Sequence, residues 1–138
     1  MKIFCIEGFK LEFEKLLGKK SYKTIEKDII DYFFDKDIEE LCSGTRLNNS
    51  DDCPYIKKRL KGSGGFRLYY YIIIKNDCLY LMFVHPKTGS LGSSNITDEH
   101  KANIYKDVLD SIKTNDLYLV SKVENKIIFE KQKPNKKC

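Results

Sequence analysis

Residues 55–87 read YIKKRLKGSGGFRLYYYIIIKNDCLYLMFVHPK, and this stretch decides the fold. It divides into three consecutive strands. The first covers Tyr55 to Lys61. Glycines 62, 64 and 65 reverse the chain. The second runs from Phe66 through the apolar segment Leu68 to Ile74, and Lys75-Asn76-Asp77 makes a short turn. The third covers Leu79 to Val84 and stops at His85-Pro86. Alternation sends successive side chains to opposite faces. Tyr55, Lys57, Arg59 and Lys61 share one face of the first strand, and Ile56 and Leu60 share the other, with Lys58 an exception among them. In the second strand Arg67, Tyr69, Tyr71 and Ile73 oppose Phe66, Leu68, Tyr70, Ile72 and Ile74. The expectation is a sheet with helices on its apolar side and an open side carrying cations and tyrosine rings.

The flanks supply those helices. Ile3 to Ile6 reads as a short strand stopped by Glu7-Gly8. Phe9, Phe13, Leu16 and Leu17 recur at helical spacing, with Gly18 as a stop. Ser21 is a candidate N-cap for a second helix whose stripe is Tyr22, Ile25, Ile29, Tyr32 and Phe33. Together they form a helical pair over about 9–40, ending in a solvated acidic stretch, Asp35 to Glu40. Ser43-Gly44 and Asn48 to Asp52 read as turn and loop, with Pro54 punctuating, and 88–95 as a loop of small residues. Thr97 caps a third helix with Asp98 and Glu99 in its first turn, a stripe of Ile104, Tyr105, Val108, Leu109 and Ile112, and a stop at Asn115. Leu117 to Val120 and Lys126 to Phe129 read as short strands about Glu124-Asn125. The fold class is α+β: a small, antiparallel-rich sheet with an N-terminal helical pair and a later helix packed on one face. Residues 1–130 make one domain, and 131–138 read as a disordered basic tail.

The chain has 138 residues and net charge +5. Its length suits one domain, burying roughly two-thirds of the unfolded surface. Residues 55–91 carry seven basic residues and one acid, while 1–44 carry eight and ten. One segment therefore supplies the excess. A focused basic field points to a polyanion, nucleic acid first. No run reaches the length of a membrane span, and the N-terminus lacks a signal-peptide pattern. Five cysteines form no C-x-x-C pair and no zinc spacing, so they read as reduced thiols of a cytoplasmic protein, with no metal or cofactor implied.

The glycine run is no phosphate cradle, since G-x-x-x-x-G-K-[ST] is absent. There is no nucleophile elbow and no H-E-x-x-H. A cation-rich face with a histidine at a strand end suits RNA cleavage without metal. The 2′-hydroxyl attacks the adjacent phosphate, and fixed cations stabilise the charge that builds up. Lys57, Arg59, Lys61, Arg67 and Lys87 can supply that charge. His85 can transfer protons, as an imidazole of ordinary pKa about 6.5 does near neutrality. Tyr69 and Tyr71 can stack on unpaired bases. His100 reads as a surface residue.

The segments KRLKGSGGFRLYYYIIIKNDCLYLMFVHPK and NITDEH resemble the core of RelE/HigB-type toxins of bacterial toxin–antitoxin modules. That core is a basic strand, a Gly-Gly-aromatic-Arg turn, an aromatic-rich strand, an apolar strand ending near a Lys, and a capped helix with acids. The resemblance covers roughly residues 3–113. It implies an mRNA endonuclease (mRNA interferase) acting on translating ribosomes and held by a cognate antitoxin. By this match Lys57, Arg59 and Lys61 stand in the basic strand, Arg67 at the family arginine, and Lys87 after the third strand. His85 lies near where some members place a catalytic histidine. The site expected is Arg67, Lys87, Arg59 and His85 for catalysis, with Lys57, Lys58, Lys61, Tyr69 and Tyr71 holding RNA. The long 88–95 loop and the chain beyond residue 113 depart from the pattern. Two other readings use the same face: a non-catalytic RNA-binding module, and a protein-interaction domain for an acidic partner.

Overall fold

The computed structural model describes residues 1–22, 24–60, 65–86 and 96–133. Strand β1 (Lys2–Cys5) leads into helix α1 (Glu7–Leu17). A 3-10 turn (Lys20–Tyr22) precedes α2 (Ile25–Phe33), and the short α3 (Ile38–Leu41) follows. Then come β2 (Thr45–Arg46), β3 (Tyr55–Leu60), β4 (Phe66–Ile73) and β5 (Cys78–Pro86). Helix α4 (Asp98–Thr114) and the hairpin β6 (Tyr118–Val123) and β7 (Lys126–Lys131) complete the fold. No helix among the described residues is long and apolar enough to cross a membrane.

The seven strands form one sheet in the order β2-β3-β4-β5-β1-β6-β7. The pairing of β1 with β5 is parallel and every other pairing is antiparallel. The N-terminal strand thus sits between the central hairpin and the C-terminal one. This sheet is larger than the small one expected, because the C-terminal hairpin joins it and Thr45–Arg46, to which the sequence assigns no element, pairs with β3.

Helices α1 and α2 lie on one face. There Tyr70 packs edge-on against Phe33, with ring centroids 5.1 Å apart, and its hydroxyl donates to the Leu41 carbonyl at 2.8 Å. Phe13 meets Phe129 on the same side, and Glu26 accepts a hydrogen bond from the Ile127 backbone N–H at 2.8 Å. These contacts fasten the hairpin to the helical layer.

The expectation that helices pack on one face only is corrected: α4 covers the other. Tyr105 of α4 stacks on Tyr55 at 5.2 Å and meets Tyr71 edge-on, and the Tyr55 hydroxyl donates to the Lys101 carbonyl at 3.1 Å. The physical reason lies in Leu68 to Ile74. That run is apolar or aromatic on both alternations, and such a strand needs a layer on each side. Phe66 through Ile72 are all buried.

Several boundaries also move. Thr24, not Ser21, sits at the N-cap of α2, because Lys20–Tyr22 forms a separate 3-10 turn. The acidic stretch is partly structural: Asp37 and Glu40 make a reciprocal capping box on α3. Leu109, assigned to the buried stripe of α4, is 40% exposed. Strand β7 runs to Lys131, and the Gln132 N–H donates to the Leu117 carbonyl at 2.8 Å, so the start of the expected tail belongs to the sheet. Residues 134–138 lie outside the described residues. Thr97 caps α4 through the His100 N–H, and Asn115 ends it in the left-handed conformation, as the sequence indicates.

Candidate nucleic-acid interface

The register of β3, β4 and β5 lays the α4 side of the sheet out in rows. Arg59, Arg67 and His85 stand side by side across the three strands. The next row is Lys57, Tyr69 and Phe83, and the third is Tyr55, Tyr71 and Tyr80. A register shift between Tyr69 and Tyr70 places Phe83 and Tyr80, three residues apart, on the same side. The N-terminal half of α4 roofs the third row through Tyr105 and reaches the second through His100, whose ring lies 4.9 Å from Phe83. The ring of His85 lies 6.1 Å from the same Phe83. Cationic and imidazole side chains thus gather at one end of the sheet.

Arg67 is the buried charged residue of this region, at 4% exposure. Its Nη1 and the Tyr69 hydroxyl are the buried side-chain polar atoms that lack a hydrogen-bond partner among the described residues. A buried donor left unpaired costs about 1–3 kcal/mol. Both atoms belong to residues two apart on β4, hence on one face. Around them stand Arg59, Lys57 and Lys101. Among the described residues no carboxylate lies within ion-pair distance of Lys57, Arg59 or Arg67, while Lys101 has Asp98 at 3.7 Å. The field acts on Lys57. Burial first, then the charges of Lys101, Arg67 and Arg59, hold its ammonium below the ordinary 10.5. Burial also pushes the Tyr69 pKa up, against a downward pull from Arg67. Tyr69 therefore keeps its proton and remains a hydrogen-bond donor. Donors without a partner among the described residues, set amid cations, have the chemistry to accept an oxyanion.

The structure brings together Lys57, Arg59, Arg67, His85 and Tyr69 of the expected site. Lys61 and Lys87 lie outside the described residues. Lys58 is corrected: it faces the α2 side, with Nζ 5.9 Å above the Tyr32 ring. An open tyrosine platform is also corrected. Tyr69 and Tyr71 are 0% and 5% exposed, and Tyr105 packs on Tyr71, so neither ring face is free for a base. Tyr69 contributes its hydroxyl instead. His100 is exposed, as expected of a surface residue, and it and Lys101, to which the sequence gives no role, lie beside this face. The signal was present: they stand four residues before Ile104 and Tyr105 and extend the same helical stripe.

Among the described residues a cleft of about 350 Å³ opens beside the rows, lined by residues of the 47–48 segment, β3 and α4. No family model, curated protein or solved structure matches this chain.

Proposed function

We propose that the protein is an endoribonuclease of the RelE/HigB kind, a toxin that cleaves mRNA on the ribosome and is held by a cognate antitoxin. The observation that carries the reading is the pair of buried donors without a partner among the described residues, Arg67 Nη1 and the Tyr69 hydroxyl, with Lys57, Arg59 and Lys101 close by. A backbone phosphate satisfies both donors and neutralises the cluster. The RelE-like arrangement rests on the resemblance of the β3–β5 core and the capped α4. The C-terminal hairpin extends that core.

The chemistry needs little besides position and charge. Arg67, Arg59 and Lys57 hold the non-bridging oxygens of the scissile phosphate. The 2′-oxygen bonds to phosphorus and its proton passes to a base. The P–O5′ bond breaks, and the departing oxygen takes a proton from an acid. The products are a 2′,3′-cyclic phosphate and a 5′-hydroxyl. On this reading proton transfer falls to His85, which stands in register with Arg67. The fixed cations meet the extra negative charge of the phosphorane-like transition state in a partly dehydrated site, where such charges act most strongly.

Arg67→Met tests the reading. Expression of the wild-type chain arrests growth and fragments mRNA, and the variant does neither while remaining folded. A wild-type chain that binds RNA without cutting it leaves the binding module in its place. A wild-type chain that neither binds RNA nor slows growth overturns both.

A further inference from the structure

The cleft of about 350 Å³ beside the cation rows has a composition unlike theirs. Leu47, Tyr55, Asp98, Lys101, Ala102 and Tyr105 line it. The four α4 residues fall at i, i+3, i+4 and i+7, one face of the helix. Tyr55 and Tyr105, stacked within 15° of parallel, supply its aromatic wall. The opposite wall is fixed: Asn48 accepts from the Tyr55 N–H at 3.0 Å and donates to the Cys53 carbonyl at 2.9 Å, while the Leu47 N–H donates to the Tyr55 carbonyl at 2.7 Å. The volume stands at the small end of ligand pockets, about 300–1,000 Å³.

We infer that this cleft is a nucleobase subsite adjoining the phosphate receptor, and that it selects guanine. The inference rests on the RNA reading above and adds which base is held and where. Three observations carry it. First, Lys101 belongs to both places: it lines the cleft and its charge depresses the Lys57 ammonium. Second, the cleft lies over Tyr55, two residues along β3 from Lys57, so the spacing is about 7 Å. That is the scale of one nucleotide step, so a phosphate on Lys57 and Arg67 carries its neighbouring base into the cleft. Third, the cleft is also lined by the Asn48 amide, which is already bonded to the Cys53 carbonyl and the Tyr55 N–H, and by a carboxylate, Asp98. Asp98 is fully exposed and its contact with Lys101 is 3.7 Å, which leaves carboxylate oxygens to accept hydrogen bonds. Guanine presents two adjacent donors, the N1–H and the 2-amino group, matching a carboxylate's two oxygens. Adenine, cytosine and uracil do not offer that pair. A base in the cleft lies against Tyr105, which lines it, whereas Tyr69 and Tyr71 are buried.

The test is fluorescence anisotropy with the full chain and a set of short single-stranded RNAs differing at one position: guanine, adenine, cytosine, uracil or abasic. A non-cleavable 2′-O-methyl backbone keeps binding separate from cutting. The wild-type chain binds the guanine form about tenfold more tightly than the others, as a bidentate base contact does. Asp98→Asn removes most of that preference while the abasic RNA binds as before. Ala102→Leu, at an exposed helix position that tolerates leucine, fills the cleft and brings all five RNAs to the abasic affinity. Wild-type affinity and guanine preference surviving in both variants overturns the subsite and leaves the phosphate receptor standing. Equal binding of all five RNAs by the wild-type chain also overturns it. Absence of binding to any RNA by the wild-type chain overturns the RNA reading and the subsite together.

Discussion

Replacing Arg67 with methionine separates a ligand receptor from a structural residue. In the folded chain Arg67 is 4% exposed, its Nη1 has no partner among the described residues, and Lys57 and Arg59 stand nearby with like charge. Methionine follows the same path along the sheet and leaves no donor unpaired. An orphaned buried donor costs about 1–3 kcal/mol, and replacing a buried ion by an apolar group is often neutral or stabilising. The cavity left by the shorter side chain offsets part of the gain. The net expectation is a change between zero and about 2 kcal/mol in favour of the variant. At this chain length 1 kcal/mol corresponds to about 3–4 °C, so Tm rises by up to ~7 °C. Thermal unfolding followed by circular dichroism reads this directly. The same variant loses a charge-assisted contact with phosphate, worth about 1.5–3 kcal/mol, so RNA affinity falls roughly tenfold to a hundredfold. Inorganic phosphate at ten times its Kd raises the wild-type Tm by about 5 °C through mass action and leaves the variant's unchanged. A Tm loss of ~6 °C or more in Arg67→Met refutes the reasoning, because it means that the guanidinium is satisfied and holds the fold.

Tyr69 and Tyr70 form a matched pair of controls. Tyr70→Phe leaves the Leu41 carbonyl without its 2.8 Å donor and the Tyr32 hydroxyl without its 2.9 Å partner, so it costs about 1–2 kcal/mol in chemical denaturation with RNA affinity unchanged. Tyr69→Phe removes a hydroxyl with no partner among the described residues, so stability stays level or rises slightly while RNA affinity drops. Lys57 carries a pH signature. Its folded pKa lies below the ordinary 10.5, so between those two values the unfolded chain binds more protons, and stability gains as pH rises through that window. Tyrosine and cysteine groups with raised pKa act in the opposite sense, so the measurement is the difference in stability between wild type and Lys57→Met across alkaline pH. That difference diminishes as Lys57 loses its proton. Gly44→Ala destabilises by about 1–3 kcal/mol in the same assay. Gly44 has φ +116°, and a Cβ there meets the Lys57 carbonyl at 2.8 Å and Ile56 Cγ2 at 3.0 Å.

Much of the fold is legible because local signals agree with tertiary ones. The alternation in 55–60 and 66–73, the Thr97 cap and the left-handed Asn115 each determine structure within a few residues. Two features were not legible for physical reasons. Strand β1 pairs in parallel with β5, some 75 residues away, and nothing local specifies that choice. The placement of α4 depends on which face of β4 counts as apolar, and tyrosines are ambiguous there. Tyr69 and Tyr71 read equally as stacking surfaces or as core, and burial decides for core. The charged face of the sheet was legible. Arg59, Arg67 and Lys57 follow from alternation alone. The α4 stripe already pointed to His100 and Lys101, whereas the buried donors without a partner among the described residues required coordinates.

The central claim is that the Arg59–Arg67–His85 row cleaves RNA through the 2′-hydroxyl. The most direct measurement is the chemistry of the ends produced when the purified chain meets mRNA on ribosomes, with and without a single 2′-deoxy substitution at the mapped cut. The account predicts 2′,3′-cyclic phosphate and 5′-hydroxyl ends, with cutting abolished by the one missing hydroxyl and binding retained. Ends bearing a 3′-hydroxyl and a 5′-phosphate, or cutting that persists without the 2′-hydroxyl, contradict it.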